Sequence, residues 1–372
     1  MKKITTVYPF DSDFIPFLRN NAFPQELDIK YLVSPSGWGY DGQDAGCADC
    51  GPSIGSLCSS DFSQACELSD TIVFAKSLKP LNFDEFIWPK MQQAVEARKN
   101  IVATLPLSQE YLDKIKHLCK EHECGFQYFY DNLSQDSIVL NPDTRKQLEF
   151  SMEILTPVIM VTSITDDLCK FDTQLGLASY AQKAGYKVSL ITSRQDGSFA
   201  GYHSYPNFML HQSFSEKDKI LLFNHFVKNI EQSENPDVII IGIPGGVFPL
   251  KKNQLGWCGT SAFEISHSLQ SDVAVVCLYV APFNETYYDE LNKVLEYRFA
   301  LTDNHFLITN VSYDDFTLED LDRRSLIPVS YDKFDKYDYR SDVYPVYTMR
   351  EREALFESVI KTLQGNMETA SL

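Results

Sequence analysis

The sequence predicts an α/β protein of two parallel-sheet domains, and three observations carry that reading. Short, nearly continuous apolar runs such as TIVFAKS (71–77), NIVATLP (100–106), PVIMVTS (157–163) and DVIIIGIPGG (237–246) recur along the chain. Runs of that kind mark strands buried on both faces. Amphipathic stretches of helical period alternate with them, which is the βαβ rhythm of a parallel sheet covered by helices. The length of 372 residues suits two domains at ~100–200 residues each.

The first half opens with the strand ITTVYPF (4–10), and LDIKYLV (27–33) runs into Ser34-Pro35-Ser36-Gly37. A helix is expected through EFIWPKMQQAVEARK, with Pro89 tolerated only near its start. Ser108 reads as the N-cap of a helix reaching Glu123, with Gly125 as its left-handed cap, and FQYFY (126–130) follows as a strand. The polar segment from Asp131 to about Met152 is the expected linker, which divides the chain at 1–150 and 151–372. In the second half a helix closes on Gly185, KVSLITS (187–193) is a strand, and Ser215 starts an amphipathic helix. The buried strand DVAVVCLYV, a helix over 283–299 and the strand HFLITNV follow. The Tyr- and Asp-rich stretch 327–346 is expected at the sheet edge, with a terminal helix over 349–363.

Composition excludes several classes. Hydrophobic residues are 44% and charged residues 23%, an ordinary globular balance. The net charge of −18 repels phosphate backbones and anionic lipid, so neither nucleic acid nor a membrane surface is an expected partner. No uncharged apolar run approaches the ~20 residues that span a bilayer. The basic start MKK meets Asp11 and Asp13 before any signal-type apolar core, so the expected location is the cytoplasm. Nine cysteines form no even disulfide framework and read as reduced thiols. Cys47 and Cys50 form a CxxC without the second pair that a four-thiolate zinc site needs. His117, Cys119, His122 and Cys124 fall on two faces of one helix and cannot close a tetrahedron without unwinding it, so no metal is the expected reading.

Ligands of parallel sheets bind at the carboxyl ends of the strands. Three loops of the second half converge there: 163–170, 194–206 and 243–260. The first half offers the glycine-rich loop 34–55, and the cleft between that loop and 163–206 is the expected binding place. The loop SITDDLCKF compares with a phosphate-binding loop. Lys170 stands at the helix start, where such a loop puts its lysine. Ser163 and Cys169 stand where glycines would, and Phe171 replaces the magnesium-binding hydroxyl. Asp166 and Asp167 could hold a metal, orient an amine or act as a base; equally, they could only complement the positive helix end. His203 could shuttle a proton or be a hydrogen-bonded loop histidine. Cys169 could be an activated thiol or a small buried residue. Ser163, Thr165, Cys169, Arg194, Gly245 and Gly246 complete the candidate ligand-lining set. The sequence names no cofactor.

The order VIMVTS–ITDDL–CK–FDTQLGLASYAQKAGYKVSLITS, QDGSFAGYHSYP, DVIIIGIPGGVFP and SDVAVVCLYV resembles the dethiobiotin-synthetase-like branch of P-loop proteins. The five residues between Ser163 and Cys169 match the spacing of that branch's G-T-D-T-x-x-G-K-T loop. The layout, with YLVSPSGWG, DTIVFAKS and EARKNIVATLP, resembles the bacterial D-glutamate N-acetyltransferase-like family. That resemblance implies a Rossmann-like N-terminal domain joined to a C-terminal P-loop-like domain, here with a degenerate phosphate loop. The segments YPFDSDF, SPSGWGYDGQDAG, GPSIG, CKFDTQL, GYHSYPNFM and IIIGIPGG make the whole chain similar to the peptide maturation system proteins of clostridial natural-product clusters. That similarity implies a role in maturing a ribosomally made, Cys-rich precursor peptide (RiPP biosynthesis), with the precursor, other maturation proteins and a small anionic ligand as partners. A homo-oligomer is compatible with it. Group transfer by Lys170, Asp166 or Asp167 and His203, or non-catalytic presentation of the precursor, are its two forms. The missing glycines and Phe171 argue against independent ATP hydrolysis.

Overall fold

The computed structural model describes residues 2–130, 149–166, 168–249, 258–313, 326–330, 339–340, 343–345 and 349–370. The chain divides into two compact units, Met1–Ser137 with Gln195–Ser204, and Ile138–Arg194 with Tyr205–Leu372. Most of the expected linker lies outside the described residues.

Unit one is built on strands β1 (Lys3–Tyr8), β2 (Leu27–Val33), β3 (Cys58–Ser59), β4 (Thr71–Phe74), β5 (Asn100–Ala103) and β6 (Phe126–Tyr128). They form one sheet in the order β3-β2-β1-β4-β5-β6, with every pairing parallel. Ile72, Val73 and Phe74 are fully buried, as the unbroken apolar run requires. Helices α1 (Ile15–Arg19), α2 (Phe62–Glu67), α3 (Trp88–Glu96) and α4 (Gln109–Glu121) connect the strands. Pro89 sits in the first turn of α3, and a π-helical turn over Phe83–Ile87 precedes it.

Helix α4 starts as expected: the Ser108 side chain accepts the Tyr111 N–H. Its end differs from expectation. The left-handed residue is Glu123, at φ +56°, not Gly125. The Cys124 N–H reaches the Cys119 carbonyl at 2.9 Å, which closes the helix one residue pair earlier than the glycine suggests. Gly125 is glycine for another reason. A β-carbon there would press on Asn100 Oδ1, which accepts the Gly125 N–H at 2.9 Å.

The segment Gln195–Ser204 groups with unit one, and the buried Phe199 ring is its main tie. Phe199 is fully buried, with its ring 5.2 Å from Phe17, 6.0 Å from Phe14 and 5.6 Å from Phe129. Tyr130 Oη donates to Gln195 Oε1 at 2.7 Å and fixes the segment's start.

Unit two carries β7 (Val158–Ser163), β8 (Val188–Ile191), β9 (Val238–Gly242), β10 (Val273–Leu278), β11 (Asn304–Ile308) and β14 (Val343–Pro345). Their order is β14-β11-β10-β7-β9-β8, again all parallel. The pair β12 (Val311–Tyr313) and β13 (Leu326–Pro328) is antiparallel and separate. The expected edge position of the tail holds for β14; most of 327–346 lies outside the described residues. Helices α5 (Lys170–Lys183), α6 (Glu216–Glu234), α7 (Thr260–Ser266), α8 (Glu285–Phe299) and α9 (Met349–Ala370) complete the unit. Gly185, at φ +95°, ends α5 as predicted, and Ser215 with Asp218 forms a capping box on α6. Among the described residues, no helix is long and apolar enough to cross a membrane.

Candidate functional site

In unit two the strand order turns back on either side of β7, which places the end of β7 at a topological switch point. The loop after Ser163 leads directly into α5, and Lys170 is the first residue of that helix. The exit of β9 lies against this loop. Val247 N–H donates to the Ser163 carbonyl at 2.9 Å and Phe248 N–H to the Ile164 carbonyl at 2.8 Å. A β-carbon on Gly246 would run into the Thr165 backbone, so only glycine permits this approach. Ser163 Oγ donates to the Thr165 carbonyl at 2.5 Å and tightens the turn.

Lys170 is buried, and its ammonium donates to the Gly245 carbonyl. Cys169 adopts φ +51°, the left-handed conformation that glycine favours. The loop therefore keeps at that residue a glycine-type backbone without its glycine. Cys169→Gly is expected to stabilise unit two by about 0.5–1 kcal/mol, the net of relieved left-handed strain and added unfolded-state entropy. Chemical denaturation compared with wild type checks this; a clear loss of stability would show that the Cys169 side chain is needed where it stands. Its Sγ lies 3.9 Å from Asn310 Oδ1.

Phe171 is buried beneath Arg194, whose guanidinium carbon sits 4.6 Å from the ring centre. The ring thus forms a cation–π floor where a phosphate loop would offer a hydroxyl. Thr173 does not replace that hydroxyl: its Oγ1 donates back to the Cys169 carbonyl at 3.1 Å. Asp166 is half-buried, and its Oδ1 is buried with no hydrogen-bond partner among the described residues. Asp167 lies outside the described residues. His203 belongs to unit one, with the segment Gln195–Ser204. The structure thus brings Ser163, Thr165, Asp166, Cys169, Lys170, Gly245 and Gly246 to one loop pair, with Arg194 over Phe171 beside it.

Three residues escaped the sequence reading. Asp172 in the first turn of α5 is held by Arg352 of α9 at 2.9 Å. Gln174, fully buried, accepts the Ser193 N–H at 3.0 Å and donates to Ser193 Oγ at 2.9 Å, tying α5 to the end of β8. An acid two residues past Lys170 was the available signal for Asp172. Nothing local marks Arg352, which follows 180 residues later.

In unit one the order also turns back beside β1, and there Asp11 spans β1 and β4. It accepts the Leu78 N–H at 2.8 Å and the Lys79 N–H at 3.2 Å. Burial pushes its carboxyl above the ordinary value. The glycine-rich loop 34–55 follows β2, whereas dinucleotide folds put theirs after the first strand. Within that loop Asp44 is the organiser. Burial alone would raise its carboxyl, but hydrogen bonds from Ile54, Gly46, Ser53 and Gly55 outweigh it and hold the group at about 2. A depressed carboxyl stabilises the loop fully above the unfolded value of ~4 and loses that contribution as pH falls through the folded value. A carbon-13 titration of Asp44 is expected to show its midpoint at about 2; a midpoint at the ordinary carboxylate value would contradict the loop geometry. Among the described residues, no group of three or more His, Cys, Asp or Glu side chains is arranged to hold a metal ion.

The fold and this loop define a two-unit parallel α/β protein with a lysine-headed helix at a switch point. No protein-family model matches the chain, and no curated protein matches it in sequence. Its structure is similar to that of a DUF1611 family protein from Anabaena variabilis ATCC 29413, with TM-score 0.59 and 11% identity, covering 97% of this chain and 100% of that one. That likeness shows the fold across both units. Cobyrinic acid a,c-diamide synthase from Mycobacterium smegmatis, with bound ADP and magnesium, matches at TM-score 0.33 and 14% identity, over 58% of this chain and 97% of that one. A likeness that distant carries no argument about chemistry.

Proposed function

We propose that unit two binds a small anionic group at the Ser163–Lys170 loop, and that the protein uses this site in maturing a ribosomally made, Cys-rich peptide. The observation that carries the anion reading is Lys170: a buried lysine opens α5 at the switch point, where the helix end is already positive. Phe171 under Arg194 supports binding without independent ATP hydrolysis, and turnover of about 1 per second or faster would overturn that part. The peptide role rests on the sequence resemblance. Its enzymatic form is group transfer to the peptide. Its non-catalytic form is presentation of the precursor to other maturation proteins, and the amine of Lys170 resting on its own Gly245 carbonyl favours this second form. Mass spectrometry of the precursor made with and without this protein tests the role. Identical products in both cases would remove it. A thermal-shift panel of nucleotides, acyl-CoA compounds and the precursor separates the two forms: stabilisation by the precursor alone favours presentation.

A further inference from the structure

Unit one holds a second piece of chemistry. Cys47 lies on the one-turn 3₁₀ helix Ala45–Asp49, Cys50 is its left-handed cap, and both are exposed. The Cys50 N–H donates to the Cys47 carbonyl at 3.3 Å. A closure of that type brings the two α-carbons within ~7 Å, and disulfides span about 4.4–6.8 Å. The turn is braced on both sides. Asp44 accepts from the N–H groups of Gly46, Ile54 and Gly55, each at 2.8 Å, and from Ser53 Oγ at 2.9 Å. Arg19 grips both oxygens of Asp49 at 2.7 and 2.6 Å and donates to the Pro52 carbonyl at 3.1 Å. Exposed thiols add nothing to a core, so packing does not account for two of them on a turn fixed this firmly.

We propose that Cys47 and Cys50 form a dithiol–disulfide couple that reduces a disulfide-bonded substrate. This activity stands apart from the anion site of unit two. The Cys47 thiolate attacks one sulfur of the substrate disulfide. That S–S bond breaks, a mixed disulfide forms, and the departing thiolate takes up a proton. The Cys50 sulfur, losing its proton, then attacks Cys47 Sγ. The Cys47–Cys50 bond forms and the second substrate thiol leaves protonated. Two electrons and two protons pass from the pair to the substrate.

The order of attack follows from the surroundings. Partial burial of its sulfur, then the charges of Asp49 and Cys47, raise the Cys50 thiol, which keeps it protonated while Cys47 makes the first attack. The braced turn already holds the two residues within disulfide range, so closing their bond costs little ordering and the dithiol acts as the electron donor. Cys58 nearby is buried and pushed up to about 12 by that burial, then by Asp44 and Cys47, which keeps it out of the exchange.

The substrate is either a small disulfide or a peptide disulfide, and one experiment distinguishes them. The reduced full chain is mixed with glutathione disulfide, or with a peptide carrying one internal disulfide. Free thiols are then alkylated and mapped by mass spectrometry. The expected result is joint protection of Cys47 and Cys50 through a bond between them. Cys50→Ser should stop at a mixed disulfide on Cys47, and Cys47→Ser should slow thiol release by about tenfold or more. Whichever disulfide reacts faster identifies the substrate class. Independent alkylation of Cys47 and Cys50 in the presence of both disulfides would overturn the proposal, as would a cross-link from Cys47 to Cys58. If either variant fails to fold, the wild-type mapping decides alone.

Discussion

Arg352→Ala is expected to destabilise unit two by about 2–3 kcal/mol, because Arg352 is buried but the Asp172 carboxylate is only half-buried, short of the ~3–5 kcal/mol for one partner of a fully buried ion pair. Arg352 is 6% exposed and its Nη1 lies 2.9 Å from Asp172 Oδ2. Its Nη2 donates to the Asp172 carbonyl as well. The guanidinium fills the space beside Gly176, where a β-carbon would collide with it. Alanine would leave the Asp172 carboxylate without its cation and open a void between α5 and α9. Hydrogen exchange of α5 measures the effect without interference from unit one. A loss under ~1 kcal/mol, the usual range for a surface pair, would show that α9 does not hold the start of α5.

Gly246→Ala is expected to cost about 3 kcal/mol and to abolish ligand binding at the loop. The added β-carbon would meet Thr165 Cα and carbonyl carbon and the Asp166 nitrogen. All three are backbone atoms, so no side-chain rotation can relieve the contact. Either the β9 exit or the 163–170 loop must move, and both carry the bonds that pair Val247 and Phe248 with Ser163 and Ile164. Denaturation of the variant checks the energy, and nucleotide titration checks the loop. A neutral substitution would mean that the two loops separate freely.

Local chemistry was legible in the sequence. Buried strands announced themselves as apolar runs, Ser108 and Ser215 as caps, Gly185 as a helix end, and Lys170 as the head of α5. Each of those signals spans a few residues. Gly125 shows where local reading stops, because its requirement is set by Asn100, 25 positions earlier on β5. Phe199 shows the same limit. It reads as one aromatic in a polar loop, yet the rings of Phe14, Phe17 and Phe129 draw its whole segment into unit one. Arg352 and Asp172 belong to helices 180 residues apart in the chain, and no periodicity links them.

The central claim is an anion site headed by Lys170, and calorimetric titration of the wild type and Lys170→Met with pyrophosphate, ATP and coenzyme A tests it most directly. A charge-assisted contact is worth roughly 1.5–3 kcal/mol, so at least one of these anions should bind the wild type and bind the variant about tenfold or more weakly. Lys170→Arg, which keeps the charge, should recover part of the loss. Equal affinities in wild type and Lys170→Met, or no binding of any of the three to the wild type, would contradict the anion site and leave peptide presentation as the reading of this protein.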